Sequence, residues 1–242
     1  MKKTIKLEEC LFNVNEIYHS IEGEGVQAGK LTTFIRFAGC NLSCKWCDSK
    51  YALEVNSGTR LMTFEQIMKQ VKHKNITLTG GEPLFRSGAI LFIRHLLKNG
   101  YHVNLETNGS LPIKDLYNIP GRSNLTIMMD YKSFSSNSRI TTNMNNFKYL
   151  RKQDAVKFVI GSEIDFEEFL AVWEDTIMPR KFLGAKYQVF LSSCFQSIYP
   201  ADLYKLQADG YERTAFKKEY EERVRLQLQM HKYIWPADKR GV

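Results

Sequence analysis

The sequence predicts an α/β protein, an open, partial (β/α) barrel, and three observations carry that expectation. Short apolar runs alternate with helical patterns along most of the chain, the rhythm of parallel strands joined by helical crossovers. Several runs end in polar or glycine-rich clusters: Thr79-Gly80-Gly81-Glu82, Glu106-Thr107-Asn108-Gly109, Asp130-Tyr131-Lys132 and Ser192-Ser193. Functional groups of α/β barrels gather at the C-terminal ends of strands. The length of 242 residues, 43% of them hydrophobic, suits one domain spanning residues 1–242 with a sizeable core.

The elements follow in order. Residues 12–19 and 33–37 read as strands. Thr63-Phe64-Glu65-Gln66 is a capping box that opens a helix to about Lys74. A strand at 76–78 runs into Gly80-Gly81. A helix at 90–98 stops at Asn99-Gly100, and strands follow at 103–105, 125–129 and Ala155–Ile160. A helix is expected at 166–173, a strand at 187–191 and helical structure at 201–220. Val224, Leu226, Leu228 and Met230 alternate with Arg225, Gln227, Gln229 and His231, a period of two that predicts a late strand with one polar face. That face turns either to water or to the barrel interior.

Composition excludes several function classes. No apolar run approaches the ~20 residues of a membrane span. The start, Met1-Lys2-Lys3-Thr4-Ile5-Lys6, is basic without the apolar stretch of a signal peptide, so a cytoplasmic location is expected, where thiols stay reduced. Lys and Arg number 34 against 26 Asp and Glu, a net charge of +8. The charges are dispersed, and the densest stretch, 213–225, also holds glutamates, as a solvated helix face does. Direct nucleic-acid binding is not expected, whereas a mildly positive surface can draw in a small anion.

The most informative chemistry lies in Cys40, Cys44 and Cys47, spaced C-x3-C-x2-C. Three thiolates are one short of a closed four-cysteine site. Holding a [4Fe–4S] cluster, they leave one iron open to a small molecule that can receive an electron. A zinc site is the alternative, with Cys10, Cys194 or a histidine as fourth ligand. Otherwise Cys10 and Cys194 read as ordinary buried thiols. Gly80 and Gly81 allow close backbone approach to a ligand, and Glu82 offers an acceptor for a cationic amine. Taken alone, Gly-Gly-Glu-Pro is an ordinary turn.

The cysteine triplet followed by Gly80-Gly81-Glu82-Pro83 resembles the radical S-adenosylmethionine superfamily. Ser20-Ile21-Glu22-Gly23-Glu24-Gly25, Phe34-Ile35-Arg36-Phe37-Ala38-Gly39-Cys40, Cys47-Asp48-Ser49 and Glu106-Thr107-Asn108-Gly109 resemble the 7-carboxy-7-deazaguanine synthase family within it. So do Met129-Asp130-Tyr131-Lys132, Gln229-Met230-His231-Lys232 and Arg240-Gly241-Val242. The resemblance implies conversion of 6-carboxy-5,6,7,8-tetrahydropterin to 7-carboxy-7-deazaguanine with loss of ammonia, feeding queuosine and related deazapurines. It implies a [4Fe–4S] cluster, S-adenosylmethionine and Mg2+, and a radical-SAM barrel modified toward its C-terminus. It also implies a homodimer and flavodoxin or ferredoxin as electron donor.

By position, the resemblance gives Cys40, Cys44 and Cys47 to the cluster. It gives Trp46, Cys47, Asp48, Gly80, Gly81, Glu82, Asp130, Tyr131, Lys132, Ser192, Ser193, Cys194 and Phe195 to S-adenosylmethionine, and Ser49 to magnesium. Ile21, Glu22, Gly23, Arg36, Thr79, His231 and the carboxylate of Val242 go to the pterin. Some of these have plainer readings: Arg36 paired with a structural acid, His231 a core histidine, Ser49 a turn hydroxyl. The sequence departs from the family pattern at Glu22 (glutamine is common), Ser49 (threonine), Phe134 (proline) and Ser193-Cys194-Phe195-Gln196 (Pro-Val-Phe-Gly). Glu22 thereby turns a group that donates and accepts into one that only accepts. A glycyl-radical-activating enzyme and a non-catalytic metal-binding module are the competing readings. The former needs an open groove for protein substrate.

Overall fold

A computed structural model describes residues 6–56, 58–138, 141–179 and 186–242. The basic start at residues 1–5 lies outside the described residues. Among these, nine strands form one sheet in the order β3-β1-β2-β4-β5-β6-β7-β8-β9. The strands are β1 (Leu11–Ile21), β2 (Leu31–Phe37), β3 (Arg60–Thr63), β4 (Asn75–Gly80), β5 (His102–Thr107), β6 (Leu125–Tyr131), β7 (Ala155–Ile160), β8 (Gln188–Ser193) and β9 (Val224–Gln227). From β2 to β9 each neighbouring pair is parallel. β1 runs antiparallel to both β2 and β3. The sheet does not close, so the expected open, partial barrel is what forms.

Strand parity divides core from cavity. Ile35 and Phe37 of β2, Ile76 and Leu78 of β4, Val103 and Leu105 of β5, Ile127 and Met129 of β6, and Val156, Phe158 and Ile160 of β7 belong to one buried apolar cluster. Helices cover it. Helix α2 (Ala89–Lys98) buries Phe92, Ile93, Leu96 and Leu97, and α4 (Glu163–Val172), counted after α1 (Phe64–Met68) and α3 (Lys114–Tyr117), buries Phe166, Phe169 and Leu170. The alternate residues turn the other way, as period-two geometry requires. Arg36, Thr79, Glu106, Asp130, Lys157 and Val159 line a cavity.

The expected elements form with shifted bounds. The capping box exists: Thr63 Oγ1 accepts from Gln66 N at 3.3 Å and Gln66 Oε1 accepts from Thr63 N at 2.8 Å. Its helix α1 ends at Met68 rather than near Lys74. The expected helix at 201–220 is two, α5 (Pro200–Arg213) and α6 (Lys217–Arg223), parted where Thr214 Oγ1 donates to Glu174 at 2.5 Å and accepts from Trp173 Nε1 at 3.1 Å. The late strand stops at Gln227, because Met230 N donates to Gly23 O at 3.2 Å and the chain turns into α7 (His231–Ile234). Met230 and His231 are therefore not strand residues. Strand β3, a four-residue edge strand too short to alternate visibly, was not expected from the sequence.

Candidate active site

The loop after β2 carries the three cysteines, and the end of β4 holds it in place. Gly81 N donates to Phe37 O at 3.0 Å and Glu82 N to Gly39 O at 3.0 Å, while Gly39 N and Cys40 N donate to Ala52 O and Leu53 O at 2.7 and 2.9 Å. A Cβ on Gly81 would lie 2.3 Å from Gly39 O. One on Gly80, whose φ of +131° already disfavours a side chain, would lie 2.1 Å from Phe37 O. The glycine pair is thus needed first for strand-to-loop packing, although both residues also line the cavity.

Cys40, Cys44 and Cys47 are free thiols at the wall of this cavity of about 600 Å³. Leu42 N and Asn108 Nδ2 point at Cys40 Sγ from 3.4 and 3.7 Å, and Cys44 Sγ lies 3.5 Å from Ser138 Oγ. Burial pushes the Cys40 and Cys47 thiols up. Among the described residues no three His, Cys, Asp or Glu side chains converge on one ion position. A cubane meets such a loop differently, with one thiolate per iron, and neighbouring N–H groups favour thiolate and sulfide charge. The residues therefore fit a cluster held by three cysteines.

Trp46, Asp48, Asp130, Lys132, Ser193, Cys194 and Phe195 line the same cavity. Ser49 lines it too, its Oγ 3.3 Å from Asp48 Oδ1 and 3.9 Å from Cys47 Sγ. Three expected residues stand apart. Glu82 is fully buried, and its carboxylate accepts from Leu84 N, Thr107 Oγ1 and Asn108 N at 3.0, 2.9 and 2.7 Å. It braces the loop after β5 rather than facing a ligand. Tyr131 is buried, stacked on Phe158 at 4.8 Å, with its hydroxyl 2.9 Å from Glu168. Its odd-numbered place on β6 turns it to the core, away from the cavity. Ser192 is buried beside Val159 in the register of β7 and β8 and does not itself line the cavity.

Ile21, Glu22, Gly23, Arg36, Thr79, His231 and Val242 line the same cavity. Arg36 donates from Nε to Glu16 at 2.7 Å and from Nη2 to Tyr18 Oη at 2.9 Å, and it lies 5.8 Å from the rings of Tyr18 and Tyr51. It is both paired with an acid and part of the wall. Glu22 is buried, accepting from Thr77, Asn104 and Gly23 at 2.7, 2.9 and 3.1 Å. Burial pushes its carboxyl up despite those donors. His231 packs on Gly23, where a Cβ would meet Nδ1 at 2.7 Å, and burial lowers its pKa.

Sequence reasoning missed Lys157, which stands on β7 opposite Asp130 of β6. Its Nζ lies 2.7 Å from Glu24 Oε2 and 3.2 Å from Asp130 Oδ1, and Lys132 reaches Asp130 Oδ2 at 3.1 Å. Gln227 and Gln229 hold Glu24 at 3.0 and 2.8 Å. Burial works against the charge on Lys157, but Asp130, Glu24 and Glu106 hold its pKa well above the usual lysine value. Glu106 is pushed up to about 8 by burial and by Glu22. A lysine inside an otherwise apolar strand was the available signal for Lys157.

Comparison with known proteins agrees with this geometry. A model of the Radical SAM superfamily matches residues 34–174. The 7-carboxy-7-deazaguanine synthase of Clostridium acetobutylicum is 37% identical over 235 residues, 96% of this chain and 99% of that protein. The synthase of Thermoplasma acidophilum is 34% identical over 229 residues, 95% and 99% of the two chains. The crystal structure of QueE from Escherichia coli superposes with a TM-score of 0.64 at 19% identity, covering 91% of this chain and 95% of that one, a likeness of fold.

Proposed function

The chain belongs to the radical S-adenosylmethionine superfamily and, within it, to the 7-carboxy-7-deazaguanine synthase family, and on that premise we propose that it converts 6-carboxy-5,6,7,8-tetrahydropterin to 7-carboxy-7-deazaguanine and ammonia. The observation that carries this reading is one cavity lined both by the cysteine loop and by Arg36, Thr79, Glu22 and His231. When bound, the cluster and S-adenosylmethionine supply the electron and the radical that starts the rearrangement.

Cys40, Cys44 and Cys47 hold the cluster. Asp130 and Lys132 offer the cofactor an acceptor and a donor, and Trp46 and Phe195 offer it apolar cover. Ser49 supplies one oxygen toward magnesium, an ion that needs few protein ligands when a substrate carboxylate provides others. Arg36, oriented by Glu16 and by the Tyr18 and Tyr51 rings, meets a substrate carboxylate in forked geometry. Glu22 accepts from the N–H groups of an aminopyrimidine edge. Glu106, neutral over much of the physiological range, holds a proton at the cavity wall.

The protein works as a single domain in the cytoplasm, as a homodimer reduced by flavodoxin or ferredoxin. Among the described residues no helix is long and apolar enough to cross a membrane. The test is an anaerobic incubation of reconstituted protein with S-adenosylmethionine, Mg2+, a low-potential reductant and the tetrahydropterin, read by mass spectrometry. A pterin-dependent mass of 7-carboxy-7-deazaguanine is expected. Cofactor cleavage that is the same with and without the pterin, and yields no deazaguanine, overturns the reading. Removing magnesium should slow the wild type, and Ser49→Ala should change that metal response.

A further inference from the structure

We infer that Lys157 couples the two halves of the cavity, so that S-adenosylmethionine and the pterin each bind more tightly when the other is present. The inference rests on the reading above of which wall receives which ligand. Lys157 is the one cation, among the described residues, with ion pairs to a carboxylate from each half: Glu24 at 2.7 Å on the pterin side and Asp130 at 3.2 Å on the cofactor side. Its side chain is only 14% exposed. A lysine so buried keeps its charge only through such partners.

The two partners are not alike. Asp130 has a second cation, Lys132, at 3.1 Å. Glu24 has Lys157 together with the neutral amides of Gln227 and Gln229. Those glutamines belong to the C-terminal segment that folds back over the Ile21-Glu22-Gly23 loop, where Met230 N donates to Gly23 O at 3.2 Å. The brace around Glu24 therefore sets the shape of the pterin wall. The sulfonium of S-adenosylmethionine is a fixed positive charge and, on the reading above, would join Lys132 and Lys157 on the Asp130 side. Asp130 then shares its charge with a third cation and releases part of its hold on Lys157. The lysine ammonium is left to Glu24, and the brace on the pterin wall tightens. Linkage requires the reverse: a pterin that firms this brace strengthens cofactor binding by the same factor.

The experiment is titration calorimetry on the reconstituted protein without reductant, so that no turnover occurs. The pterin is titrated with and without saturating S-adenosylmethionine, in the wild type, Lys157→Met and Lys157→Arg. In the wild type the cofactor should tighten pterin binding about tenfold, within the span typical of coupled sites. Lys157→Met should bring that factor close to one, and Lys157→Arg should keep most of it. A purely structural lysine would weaken both ligands and leave the factor unchanged. An unchanged factor in Lys157→Met, or no coupling in the wild type, overturns the inference. Should Lys157→Met not fold, Glu24→Gln answers the same question, with the coupling lost and the affinity for S-adenosylmethionine alone preserved. Retained coupling there contradicts the inference. A wild type that binds the cofactor but no pterin at all defeats the functional reading, and this inference with it.

Discussion

Glu106 and Arg36 show how single residues set the chemistry of the wall. The folded-state pKa of Glu106, about 8, stands above its ordinary value because burial and the neighbouring Glu22 penalise its charge. A carboxyl raised in this way contributes stability that is fully present below its unfolded value of about 4.3 and is lost as pH rises through the folded value. Glu106→Gln removes the titration while keeping the shape. Thermal unfolding followed from about pH 5 to 8 should therefore fall less steeply for the variant than for the wild type. Equal slopes would show that Glu106 ionises normally. Arg36→Ala should weaken pterin binding by roughly 10- to 100-fold, the scale of a charge-assisted forked pair. Iron content and affinity for S-adenosylmethionine should not change. Normal pterin affinity in this variant would place the substrate elsewhere.

Among the elements, the junction of β4 with the cysteine loop is the most tightly determined. The missing Cβ of Gly81 occupies space 2.3 Å from Gly39 O and 2.8 Å from Cys40 N, both backbone atoms that cannot swing aside. Gly81→Ala should push the loop off β4, and the purified protein should take up less than half the iron of the wild type on reconstitution. A full complement of iron would mean that the loop tolerates displacement. The capping box at α1 gives a contrast, since its two hydrogen bonds are exposed and neither Thr63 nor Gln66 lines the cavity. Thr63→Ala should cost about 1 kcal/mol, or about 2–4 °C in Tm for a chain of this size, with activity intact. A shift above about 8 °C would show that α1 supports more than its own first turn.

Across the whole molecule, what could be read from the sequence was what is local. The cysteine triplet, the capping box and the apolar strands are each carried by residues a few positions apart, and each is present in the fold. Parity along a strand was legible too, yet it was not applied to Tyr131, which a period of two turns into the core. Glu82 misled because its three donors come from the next turn, from the last residue of β5 and from the loop after it. Lys157 and Glu24 are 133 positions apart, and no pattern in sequence joins them. The late strand ends early because a carbonyl of Gly23, far upstream, captures Met230 N. One cavity serves both the cluster loop and the proposed pterin site, and an enzyme of this kind uses its cofactor repeatedly. The direct test counts 7-carboxy-7-deazaguanine formed against 5′-deoxyadenosine released in one anaerobic reaction. Many deazaguanines per 5′-deoxyadenosine are predicted, whereas one or fewer would contradict the account.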